Sequence, residues 1–218
     1  MKTKKELPLI ALVLLPFLYL ALIWKGLPQE VPMHFDHRGQ VDRYGDKMEL
    51  LLIPLLLPLT IYLILSVVPR IDPKGQLQKM GNKYGNLKFL LTGFMSLLAL
   101  YILYSAKKGT LANPNLPFFL VGLLYLVLGN YFKTIRPNYF LGIRTPWTLE
   151  SESVWKRTHR WAGKIWVVGG LLVVGCSLVL GEEMGARAFL AITLFIALVP
   201  MGYSYLLYKK EKGTAPKG

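Results

Sequence analysis

The stretch NYFLGIRTPWTLESESVWKRTHR, Asn138 to Arg160, stands between two uncharged apolar runs, Leu116–Phe132 and Ile165–Leu180. It gathers Arg144, Glu150, Glu152, Lys156, Arg157, His159 and Arg160 around Trp147 and Trp155, with Trp161 next in line. Each flanking run approaches the roughly 20 residues that cross the hydrocarbon core of a bilayer. A polar block between two such runs reads as a loop between membrane helices, and that reading sets the expectation for the whole chain.

Four more uncharged runs lie further out: Leu7–Trp24, Leu50–Val68, Phe89–Ser105 and Ala188–Tyr208. The 218 residues are 53% hydrophobic and only 17% charged, against about 25% charged in soluble domains. The expected fold is therefore an all-α polytopic membrane protein with six transmembrane helices. No small-residue cleavage site follows Ile23-Trp24-Lys25, so the first span reads as uncleaved, with a kink near Pro16. Pro54 and Pro58 predict a bent helix in the second run. Trp24, Tyr104, Tyr131, Trp166 and Tyr208 fall at span ends, as an aromatic belt does. Cys176 is the lone cysteine, which excludes an intramolecular disulfide.

The net charge of +14 would point to nucleic acid in a soluble protein. Here the basic residues sit in loops between apolar runs and form no nucleic-acid reading motif, so direct nucleic-acid binding is not expected and the lipid bilayer is the implied partner. Eighteen of the Lys and Arg fall on the side of the two termini and the 138–160 loop, against seven on the other side, and Lys88 lies at a span edge. That bias predicts cytoplasmic N and C termini, a cytoplasmic 138–160 loop and an outer loop from Lys25 to Glu49. The six runs contain no Asp, Glu, Lys, Arg or His, which counts against a proton relay at the membrane midplane.

The outer loop, GLPQEVPMHFDHRGQVDRYGDK, predicts turns and extended pieces. His34, Asp36, His37 and Asp42 are metal-ligand types, with His34 and Asp36 on one side of a strand. Structural zinc sites favour cysteine and more regular spacing. The expectation is a compact cap without metal, its turns fixed by Pro32, Phe35, Gly39 and Asp42, with Phe35 dipping toward the membrane; Pro32, His34, Phe35, Gly39 and Asp42 are the candidate outer-loop binding residues.

In the inner loop, Thr145 before Pro146 is a helix start, and Thr148 and Ser151 are rival caps. From Glu152 onward the pattern is helical, with Glu152, Trp155 and His159 on one face. Three readings stay open: a juxtamembrane helix with its tryptophans at the lipid boundary, a partner-binding surface, and a site in which Glu152 and His159 act as base and acid beside Arg144. No GxSxG or SxxK nucleophile pattern accompanies the last.

The NYFLGIRTPWTL and SESVWKRTHRWAGK segments, together with PxHFxxxGxxD at Pro32, His34, Phe35, Gly39 and Asp42, closely resemble the SdpI family of bacterial integral membrane proteins. The resemblance implies an N-terminal membrane domain of unknown function over residues 1–105, an SdpI-type domain over 106–212 and a flexible tail over 213–218. It implies a multi-pass protein of the bacterial cytoplasmic membrane that gives immunity to a membrane-active peptide toxin met outside the cell. It further implies signalling through a cytoplasmic transcriptional regulator, with no enzymatic activity, cofactor or metal. The inner-loop binding residues it implies are Asn138, Gly142, Arg144, Thr145, Pro146, Trp147, Thr148, Glu152, Trp155, Thr158 and His159. The alternatives are a permease-like transporter and a membrane enzyme built on Arg144, Glu152 and His159.

Overall fold

The computed structural model describes residues 3–36, 39–111 and 113–214. Helix α1 (Thr3–Ile23) leads to a hairpin of β1 (Glu30–Phe35) and β2 (Val41–Asp46). There follow α2 (Lys47–Ile71), a single turn α3 (Gln76–Lys79), α4 (Asn82–Lys108), α5 (Leu116–Phe132), α6 (Pro146–Glu150), α7 (Glu152–Val179) and α8 (Glu182–Thr214). Five of these are long and apolar enough to cross a membrane, and α5, at 17 residues, is a shorter apolar helix. All six expected spans are thus helical. Several helices overrun their apolar runs: α7 starts at Glu152, and α4 at Asn82.

Helix α2 is a composite. A 3-10 turn opens it, capped by Asp46, and a π turn at Leu55–Leu59 surrounds Pro58. The wider turn accommodates a proline that cannot donate to the ladder, and Thr60 Oγ1 donates to the Leu55 carbonyl at 2.9 Å.

The described residues form two compact units. One comprises Met1–Val67 with Asn82–Pro114, the other Val68–Gly81 with Asn115–Gly218. The sequence placed residues 68–81 with the N-terminal half. Lys74 ties this piece to the second unit, its ammonium reaching the Leu149 carbonyl at 3.5 Å and lying 4.8 Å over the Tyr139 ring.

In the first unit, Lys88 is buried inside α4, where the sequence suggested only a span edge. Its ammonium meets Glu6 of α1 at 2.9 Å and lies 4.4 Å over the Tyr62 ring of α2. The Tyr62 hydroxyl donates to Glu6 at 3.1 Å. A buried lysine needs such a partner, so this cluster links three helices. The hairpin rests on buried Val31, Leu27, Leu50, Leu103 and Ala106.

In the second unit, α5 and α7 pack antiparallel through paired glycines. A Cβ on Gly129 would stand 2.7 Å from the Gly163 carbonyl oxygen, and one on Gly170 would stand 2.8 Å from that of Gly122. Small residues let helix backbones meet closely where lipid supplies no hydrophobic drive. Tyr125 of α5 hydrogen-bonds Thr193 of α8 at 3.1 Å.

Three prolines share one solution. Proline has no N–H, so the carbonyl four residues earlier is freed, and inside a bilayer it must find another donor. Behind Pro16, Ser96 Oγ donates to the Leu12 carbonyl at 2.8 Å. Behind Pro69, the Tyr84 hydroxyl donates to Leu65 at 2.7 Å. Behind Pro200, Trp166 Nε1 donates to Ile196 at 2.9 Å. Each of these hydrogen bonds is also an interhelical contact.

Candidate functional site

The inner loop folds as a cap on the ends of α5, α7 and α8, and its first fastener is Asn138. That side chain is fully buried. Its Nδ2 donates to the carbonyls of Arg136 and Leu141 at 2.8 and 3.1 Å. Its Oδ1 accepts from Phe140 and Leu141 N–H at 2.7 Å each. One amide thus saturates four backbone groups, and a sharp turn holds without regular structure.

His159 is the second fastener. Ile143 N–H donates to its Nε2 at 2.9 Å. Its Nδ1 lies 2.9 Å from the Trp155 carbonyl. An acceptor Nε2 fixes a neutral ring with the proton on Nδ1, donated to that carbonyl. The ring stacks on Trp155 at 4.1 Å. Gly142, at φ +96°, lies against it, and any Cβ there would overlap Nε2. Trp155 Nε1 closes the cap by donating to the Ile135 carbonyl at 2.9 Å.

Thr145 starts a helix as expected, and of the two rival caps Ser151 is used while Thr148 sits inside the first turn. Thr145 caps α6 with Pro146 in its first turn, in a capping box with Thr148. Ser151 caps α7. Thr148 Oγ1 also donates to the Ile143 carbonyl at 2.8 Å, and Thr145 Oγ1 meets Ser204 of α8 at 3.0 Å.

The side chains of Asn138, Thr145, Thr148, Trp155, Thr158 and His159 are therefore buried. They build the cap, and their contact with an outside partner is not available in this conformation. Arg144, Pro146 and Glu152 are exposed, while Trp147 is half-buried against Tyr205 at 5.1 Å. Arg144 Nη1 donates to the Tyr139 carbonyl at 2.7 Å. Neither Glu150 nor Glu152 folds back onto Arg144. Glu150 pairs with Lys212 at 3.1 Å and Glu152 with Lys156 at 2.7 Å. Hydrogen bonds from Tyr208 and Lys212 hold the Glu150 carboxyl below the ordinary carboxylate range.

The acid–base reading of Glu152 and His159 loses its geometry, because both ring nitrogens serve the backbone and Glu152 faces solvent. Among the described residues no group of three or more His, Cys, Asp or Glu converges as a metal site would need. Sequence reading missed the part played by Lys74, because nothing in the order of residues brings 68–81 to Tyr139.

In the outer loop the strands pair with irregular register between Pro32, His34 and Phe35. Asp36 builds the turn instead of sharing a strand face with His34: it accepts Gln40 N–H on its carboxylate at 2.9 Å and Gly39 N–H on its carbonyl at 2.9 Å. His34 Nδ1 meets Asp42 Oδ1 at 2.6 Å, both exposed. Pro32 is buried and Phe35 half-buried. Gly39 takes φ +74°, with Pro114 close against it. His37 lies outside the described residues.

Residues 134–204 match the model of the SdpI/YfhL protein family, and residues 11–57 match a domain of unknown function, DUF1648. Immunity protein SdpI of Bacillus subtilis (strain 168) is 29% identical, over 97% of this chain and 99% of that protein. An uncharacterized protein of Archaeoglobus fulgidus is 39% identical over 66 residues, 30% of this chain and 36% of that protein. No solved structure matches. The matched segments carry the GIRTPWTL cap and the hairpin loop, and nearly the whole chain is similar to a protein of the SdpI family, which supports a multi-pass bacterial membrane protein of that type.

Proposed function

We propose that this protein protects its cell against a membrane-active peptide toxin and signals through a cytoplasmic regulator docked on the inner cap. The carrying observation is the near full-length similarity to a protein named for immunity. The cap supports the second half of the reading. Its buried fasteners fix a surface on which Arg144 is exposed without a carboxylate partner among the described residues. A guanidinium held by one backbone carbonyl keeps N–H donors for a carboxylate or phosphate of a partner. The basic bias of the 138–160 side makes it the cytoplasmic side, with both termini. The hairpin then faces outward, where a toxin arrives.

Survival decides the first half. Bacillus subtilis cells lacking immunity protein SdpI are given this gene or an empty vector and grown beside their toxin-producing parent. Survival restored only with the gene supports immunity, and equal killing of both overturns it. Impermeant thiol labelling decides the sidedness, in a Cys176→Ser background with Gln40→Cys. Labelling of intact cells is the expected result, and labelling only after lysis reverses the orientation.

A further inference from the structure

We propose that the groove between α7 and α8 holds one chain of an anionic phospholipid, with the lipid phosphate on Lys164. The groove measures about 470 Å³ and is walled by Val168, Gly169 and Leu172 on one side and Ala191, Ile192 and Phe195 on the other. That volume is within the range of about 300–1,000 Å³ of small-molecule sites. Gly169 closes the floor: a Cβ there would come within 2.5 Å of Ile196 Cγ2, so the two helices touch at that point and the slot lies over the contact. The walls offer no polar side chain, and the single polar group, Lys164, stands at one end.

Two further observations select the occupant. Trp161, three residues before Lys164, stacks on Tyr203 at 4.3 Å. Aromatic pairs of this kind gather at the membrane–water interface, which sets Lys164 at headgroup depth. From Lys164 to Leu172 the helix advances about 12 Å, so the groove descends from the headgroups into the hydrocarbon. Lys164 is exposed and pairs with no carboxylate among the described residues. An apolar slot with one unpaired cation at the headgroup end complements an amphiphile with one anionic head and a plain chain. The lysine stem lies along the slot while its ammonium reaches the phosphate. A peptide helix, about 10 Å across, would bring backbone width and polar groups for which the walls have no counterpart.

The test uses the purified full-length protein in detergent. It is titrated with phosphatidylglycerol or with phosphatidylcholine of the same chains, and bound lipid is counted by native mass spectrometry. The expectation is one tightly retained phosphatidylglycerol, favoured about fivefold over phosphatidylcholine, the size of one cation's effect near an anionic surface. Lys164→Gln, an exposed change that leaves the helix packing intact, removes that preference. Ala191→Phe fills the slot and abolishes retention of both lipids. Lys133→Gln, outside the groove, changes neither. Equal retention of the two lipids by the unaltered protein overturns the proposal. So does retained phosphatidylglycerol in Ala191→Phe, or a hydrophobic peptide displacing no lipid yet losing its binding in that variant.

Discussion

The inner cap and the outer hairpin are both polar pieces carried by apolar helices, and they are fastened in opposite ways. In the cap the polar groups are inside: Asn138, Thr148 and Thr158 are fully buried and His159 is 1% exposed. In the hairpin the polar pair His34–Asp42 is outside, with side chains 65% and 47% exposed, and the anchoring falls to apolar Val31 and its neighbours. A buried hydrogen-bonding group that loses its partner costs about 1–3 kcal/mol. An exposed ion pair contributes about 0–1 kcal/mol. The same polar residue types therefore specify shape in one region and decorate a surface in the other.

The largest expected effect is that of Asn138→Ala, which orphans four backbone groups at once. A loss of about 3 kcal/mol, or failure to accumulate, should appear in thermal unfolding followed by size exclusion. Gly142→Ala comes next, about 2 kcal/mol or more, because a left-handed backbone and the His159 ring both oppose a methyl group. Ser96→Ala, which uncovers the carbonyl behind Pro16, should cost about 1 kcal/mol by the same measurement. His34→Ala should cost less than about 1 kcal/mol in stability. Any loss of protection it causes would then come from the hairpin's local shape, read by protease sensitivity of the loop in intact cells. A His34→Ala loss as large as that of Asn138→Ala would break the comparison, since it would give the exposed pair the weight of a buried one.

The helices were legible in the sequence because long uncharged runs leave few other folds. The inner loop was legible as special, and both Thr145 and Ser151 were visible as helix starts. The direction of its side chains was not. Asn138 and His159 look partner-seeking in a list of residues, and only the turn that brings Ile143 N–H onto the imidazole reveals them as internal fasteners. Lys88 was read as an edge charge because its partner Glu6 lies far away in sequence. The glycine pairs carried a usable sign: Gly122 and Gly129, like Gly163 and Gly170, are spaced seven apart, two turns of one helix face. The proline-freed carbonyls could be counted from sequence, but their donors sit on other helices.

Arg144 tests the central claim that a rigid inner cap exists to present a partner-binding surface. It is exposed, held by the Tyr139 carbonyl, and contributes to no buried fastener. The decisive measurement is survival under toxin challenge of cells carrying Arg144→Lys, Arg144→Ala or the unaltered protein at matched membrane abundance. Recognition by the planar guanidinium fork predicts that Arg144→Lys fails nearly as badly as Arg144→Ala, while Lys156→Ala and Arg157→Ala keep most of their protection. Full survival with Arg144→Lys would contradict the claim and leave Arg144 as no more than a charge that orients the loop.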